Sequence, residues 1–98
     1  MRIVAKVGGA QLEIESKRQQ LCASVVSAID AGHETVVVHG GGNQIRDLCR
    51  KLGLPDRYHD GLRITDGPTA DVVLMVLAGL VNKELVHALD RAGHERPD

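Results

Sequence analysis

Val36, Val37, Val38, His39, Gly40, Gly41, Gly42, Asn43, Gln44 and Ile45 form the stretch that decides how this chain is read. A β-branched run meets three glycines and then a helical pattern, so a strand turns directly into a helix. Such a junction leaves unsatisfied backbone N–H groups and the positive end of a helix dipole facing one small volume, which suits an anion. A single glycine there would mark only a tight turn; three in a row point to close approach of a ligand to the backbone. The spacing is neither the dinucleotide fingerprint nor the Walker loop. A shorter version stands near the start, where Ile3, Val4, Ala5, Lys6 and Val7 run into Gly8 and Gly9. Lys6 could sit at a sheet edge with its ammonium in water, but two residues before a glycine pair it is placed to reach a phosphate in transit.

Outward from these junctions the elements follow by pattern. Residues 2 to 7 and 34 to 39 read as strands, made parallel by a crossover helix whose apolar positions are Leu21, Cys22, Val25, Val26 and Ile29. Ser16 and Gln19 have the spacing of a capping box at its start, and Gly32 marks its end. A second helix follows the glycines, with Ile45, Leu48, Cys49 and Leu52 on one face. Arg57 to Asp60, a turn at Gly61 and Leu62 to Thr65 suggest a hairpin. Asp66, Gly67 and Pro68 open a third helix expected to run to about Ala92, before Gly93. Its apolar residues from Val72 to Val81 cover nearly the whole circumference, which predicts burial on more than one side, the second through another subunit, with an over-apolar core helix as the alternative. Two parallel strands and a hairpin make a narrow sheet for three helices, so the polypeptide is expected to be incomplete or to borrow sheet from a partner.

Composition narrows the function. The 98 residues carry 12 basic and 13 acidic side chains, spread along the chain, and offer no basic field for nucleic acid and no polybasic run for a membrane surface. The longest apolar run, Val72 to Val81, is too short to span a bilayer. Cys22 and Cys49 have neither metal-ligand nor redox spacing, which fits free thiols in a reducing, cytoplasmic compartment. Tyr58 is the only aromatic residue, so a purine-stacking pocket is not expected from this chain alone. A solvated side chain is the default for Arg63, but an arginine fork is the side chain best suited to hold a carboxylate bidentately. Asn82 and Lys83 are expected at a solvated helix end, and His33, His59, His87 and His94 at the surface. A carboxylate acceptor is already ionised at neutral pH, so His39 needs no role as a base and is expected to be a packed strand-end residue.

Four segments stand in an order and spacing that resemble one family: Lys6-Val7-Gly8-Gly9, Val37-Val38-His39-Gly40-Gly41-Gly42, Asp60-Gly61-Leu62-Arg63-Ile64-Thr65-Asp66, and Leu77-Ala78-Gly79-Leu80-Val81-Asn82-Lys83. Together they resemble the acetylglutamate kinases of the amino-acid kinase superfamily over residues 2 to 93. The resemblance implies an α/β fold, a three-layer αβα sandwich present here in truncated β-α-β-α-hairpin-α form. It also implies transfer of the γ-phosphate of ATP, with Mg²⁺, to the side-chain carboxylate of N-acetyl-L-glutamate in arginine biosynthesis. By the same resemblance Lys6 would stabilise the transferring phosphoryl group, and Gly8, Gly9 and Gly41 would bind phosphate. Gly41, Gly42 and Arg63 would bind the acyl-amino-acid, the hairpin would be a lid, and the helix over 68–92 would form a homo-oligomer. Residues 1–93 would be the acyl-amino-acid-binding part and 94–98 a divergent tail. The nucleotide-binding half is absent, so the isolated chain is expected to be inactive or nearly so. A sister kinase for another carboxylate and a non-catalytic assembly module are the alternatives.

Overall fold

The computed structural model describes residues 1–55 and 57–95. The chain is α/β. It begins with β1 (Arg2–Val7), followed by a four-residue helix α1 (Gly9–Leu12) and by α2 (Glu15–Asp30). Strand β2 (Glu34–His39) pairs parallel with β1, Arg2 opposite Glu34 and Val7 opposite His39, so both strands end level. Helix α3 (Gly42–Lys51) follows. The expected hairpin is short: β3 (Tyr58–His59) pairs antiparallel with β4 (Leu62–Arg63). Asp60 and Gly61 between them both have positive φ, 49° and 80°, which matches the twist a two-residue hairpin turn requires. Helix α4 (Gly67–Leu74), a π-helical segment (Met75–Val81) and α5 (Asn82–Glu95) then run on without a break.

Alternation along the strands divides the sheet into two unlike faces. Val7 is buried and Ile3, Ala5, Val37 and His39 are half-buried beneath the helices. Val4, Val36 and Val38, on the other face, are 69%, 58% and 47% exposed. The chain therefore supplies the sheet and one helical layer of the αβα arrangement. Among the described residues, the core cluster is one in which Val7, Leu12, Cys22, Ile45 and Cys49 meet Val72, Val76, Val81 and Leu85 of the long helix. A radius of gyration of 15.5 Å exceeds the roughly 13 Å of a compact domain of this length, as befits a slab with one bare side. Both cysteines are free and buried, and burial pushes the Cys22 thiol above its usual range, partly countered by Arg18.

Several expectations are corrected. The capping box does not form: Ser16 lies inside α2, whose N-cap is Ile14 without a side-chain bond, while Gln19 contacts Glu15 at 3.4 Å. Helix α5 passes through Gly93 to Glu95, and the expected tail beyond 95 lies outside the described residues. His33 is half-buried, with Nδ1 enclosed and without a partner among the described residues, rather than at the surface. The ten-residue apolar run also understates the long helix. Over Gly67–His94 it is long and apolar enough to cross a membrane by length and composition, with a mean hydropathy of 1.7 in its 18-residue window. Core helices of soluble proteins meet the same description, and Val72, Val76, Val81 and Leu85 of this one are in the core.

The start of that helix follows the sequence reading. Asp66 is the N-cap, its carboxylate accepting the backbone N–H of Thr69 at 2.9 Å, with Pro68 in the first turn. Hydrogen bonds from the Thr69 side chain and backbone, helped by Arg57, hold the Asp66 carboxyl below its usual range. A depressed carboxyl contributes stability above its unfolded-state pKa and loses it as pH falls through the folded value. Asp66→Asn keeps a capping side chain but no titrating group. Thermal melts of both proteins across pH should differ at neutral pH and converge in acid; parallel curves would count against the assignment.

Candidate functional site

Because β1 and β2 are parallel and in step, their glycine turns leave the same end of the sheet. That end, beyond the carboxyl termini of the strands, is where open α/β sheets place ligands. The Gly40 N–H bonds the Val7 carbonyl at 3.2 Å, which carries the ladder one residue past the strands. The turns then come into contact. A Cβ on Gly9 would lie 2.6 Å from the Gly41 Cα and 2.7 Å from its nitrogen. One on Gly41 would lie 2.8 Å from Leu77 Cδ2 and 3.1 Å from Val81 Cγ2 of the π-helical segment. Gly8 and Gly42, by contrast, have nothing within 4 Å of an added Cβ. Two of the four glycines thus permit close packing, and the other two border open space.

Gln44, in the first turn of α3, joins the two turns by donating Nε2 to the Gly9 carbonyl at 3.0 Å. Its Oε1 is buried and without a partner among the described residues. Over the start of α3 lies the hairpin. Arg63, on β4, donates to the Gly42 carbonyl at 3.4 Å and to the Tyr58 hydroxyl at 2.7 Å, and its guanidinium stacks over the Tyr58 ring at 4.9 Å. Arg46 of α3 donates to the same hydroxyl at 3.2 Å. Two guanidinium groups and a helix N-terminus therefore converge beside Gly42, an electropositive corner in a chain of nearly balanced charge.

The structure brings together Gly9, Gly41, Gly42 and Arg63, and places Gly8 at the rim. Lys6 is exposed on the bare face of the sheet, beside Val4 and opposite Val38, with no hydrogen bond or ion pair among the described residues. Asn82 and Lys83 open α5, but because the π-helical segment runs into it without a break they lie within the long helix rather than at a solvated end, and Asn82 reaches His39 at 3.3 Å. Sequence reading missed Arg46, Gln44 and this Asn82 contact. For Arg46 a signal existed, since position 46 is one helical turn beyond Gly42 and shares its face. No group of three or more His, Cys, Asp or Glu residues suited to a metal occurs among the described residues. A groove of about 890 Å³ lies away from the turns, between α2 and α5, where Arg18, Cys22 and His87 are among its lining residues.

Residues 1–96 match the amino acid kinase family. The chain belongs to that family. Among its relatives, the acetylglutamate kinase of Koribacter versatilis is 45% identical over 93 residues, covering 95% of this chain and 36% of the relative. That of Prochlorococcus marinus strain MIT 9303 is 42% identical over 92 residues, 94% of this chain and 30% of the relative. This amino acid kinase chain thus spans about a third of the length of the curated relatives it matches. A solved Streptococcus mutans protein superposes with a TM-score of 0.81 at 34% identity, over 94% of this chain and 37% of that one. The N-acetylglutamate synthase of Neisseria gonorrhoeae, solved with coenzyme A and N-acetyl-glutamate, gives a TM-score of 0.76 at 26% identity, over 93% and 21%.

Proposed function

We propose that this chain forms the acyl-amino-acid-binding part of a kinase that phosphorylates the side-chain carboxylate of N-acetyl-L-glutamate, a step of arginine biosynthesis in the cytoplasm. The observation that carries the reading is the convergence of Arg63 and the α3 N-terminus at Gly41 and Gly42, against the glycine turn of β1. A substrate carboxylate meets the arginine fork there, and a phosphoryl group meets the backbone N–H groups of the two turns, with Gly8 on the open side. The acceptor carboxylate is ionised at neutral pH, so the site has to position and neutralise charge and needs no base. Lys6 then serves the transferring phosphoryl group. ATP, accompanied by Mg²⁺, is the phosphoryl donor, bound mainly by the part of the relatives that this chain does not span. The acetylglutamate kinases among the relatives support the reaction, and the Neisseria synthase, which holds N-acetyl-glutamate, supports the acid.

Calorimetric titration of N-acetyl-L-glutamate into the chain tests the reading. Arg63→Ala removes charge-assisted hydrogen bonds worth about 1.5–3 kcal/mol, so binding should weaken roughly 10- to 100-fold. Equal affinity of the two proteins would sink the assignment, and tighter binding of aspartate or aminoadipate would redirect it to a sister kinase. Turnover by the chain alone should be near zero.

One observation favours self-association as well. Leu74, Met75, Leu80 and Val86 of the long helix are each at least half exposed, apolar side chains that a partner could cover. A second copy packed against 68–92 is the proposed occupant.

A further inference from the structure

Three hydrogen bonds run in one direction from the long helix into the β2 glycine turn. Lys83 Nζ donates to Asn82 Oδ1 at 3.3 Å, Asn82 Nδ2 faces His39 Nε2 at 3.3 Å, and His39 Nδ1 faces the Gly40 carbonyl at 3.0 Å. The two ends of this chain fix its middle. A carbonyl can only accept, so His39 Nδ1 carries the proton. An ammonium can only donate, so Asn82 turns its oxygen to Lys83 and its NH₂ to His39, whose Nε2 must then be bare. Both constraints select the same tautomer, with the proton on Nδ1 and Nε2 turned to the Asn82 amide.

That state has a consequence for the turn. The Gly40–Gly41 peptide is trans, so the Gly41 N–H points away from the carbonyl that His39 holds. Leu77 and Val81, from the segment just before Asn82, close on Gly41 at the same time. We infer that His39 is a positioning residue: held in one tautomer by Asn82, it locks the Gly40–Gly41 peptide and so fixes the direction in which the Gly41 N–H, packed against Gly9, points at the strand ends. The role of that donor toward a phosphoryl group rests on the function proposed above; the locking does not. The Val-Asn-Lys stretch of the long helix thereby acquires a purpose at the site, although neither Asn82 nor Lys83 lies on the glycine turns.

Long-range ¹H–¹⁵N correlation on the chain labelled in its histidines reads the tautomer directly at neutral pH. His39 should show a protonated Nδ1 and a bare Nε2. Asn82→Asp has the same shape but offers only acceptors, so it should draw a proton onto Nε2 and shift the Gly41 amide resonance while leaving that of Gly53 in place. A wild-type His39 protonated on Nε2 would overturn the inference, and that measurement needs no variant to fold. So would a Gly41 amide indifferent to His39→Ala, which removes the Nδ1 donor to the Gly40 carbonyl altogether. N-acetyl-L-glutamate and inorganic phosphate are then titrated separately into the wild-type chain. If neither moves the Gly41 amide while the tautomer is as stated, the proposed function fails and the positioning role stands.

Discussion

Gly9→Ala should destabilise the chain by about 1–3 kcal/mol, the range of a residue forced into a filled space, and should abolish binding at the strand ends. The methyl group would sit 2.6 Å from the Gly41 Cα and 2.9 Å from Gln44 Oε1. The first neighbour is backbone and cannot rotate aside, so the two glycine turns must separate. Separation breaks the Gln44–Gly9 bond and moves the Gly41 and Gly42 amides away from β1. Gly8→Ala, one residue earlier, meets nothing within 4 Å and should leave the unfolding midpoint nearly unchanged. Urea denaturation of the pair, with calorimetric titration of N-acetyl-L-glutamate, checks both claims. Equal stability of the two variants would mean that the turns are not packed as described.

Leu85→Ala should have the larger effect on folding, about 2–5 kcal/mol, as for other large-to-small changes in a packed core. Leu85 is 4% exposed and sits in α5 against the only core cluster among the described residues. Small domains have about 5–15 kcal/mol in total, and a slab with an uncovered face belongs near the bottom of that range. At the upper end of that loss a sizeable unfolded fraction should be visible by circular dichroism at about 25 °C, and at the lower end a clearly reduced unfolding midpoint. Leu80→Glu makes the opposite comparison on the same helix. Leu80 is 50% exposed, so the charge should leave the fold intact and shift sedimentation toward the monomer. If Leu80→Glu unfolds the chain and Leu85→Ala does not, the helix faces have been assigned the wrong way round.

What was legible in the sequence was whatever short-range chemistry determines. β-Branched runs ending in glycine marked both strands, Gly61, though not Asp60 beside it, marked the hairpin turn, and Asp66 before Pro68 marked a capped helix start. What was hidden depends on contacts between distant segments. Nothing local in Met75–Val81 announces π geometry, and it is in this segment that Leu77 and Val81 close on Gly41. Gly93 would end an isolated helix, yet α5 continues because its Leu85, Ala88, Leu89 and Ala92 are packed along the core. At the site, the need for glycine at positions 9 and 41 was readable in kind, while Arg46, Gln44 and Asn82 gained roles only when the hairpin and the long helix were brought to α3 and β2.

The bare face of the sheet bears on the strength of Lys6 as an electrostatic agent. With Val4, Val36 and Val38 exposed around it, its ammonium is surrounded by bulk water. Two unit charges about 4 Å apart interact by about 1 kcal/mol in that medium and by about 4 kcal/mol at an effective dielectric constant near 20. In the proposed reaction, a layer of protein laid over this face would raise the pull of Lys6 on a phosphoryl oxygen several-fold without moving an atom of the lysine. The dielectric over the sheet, as much as the presence of Lys6, would then determine how fast phosphate can be transferred.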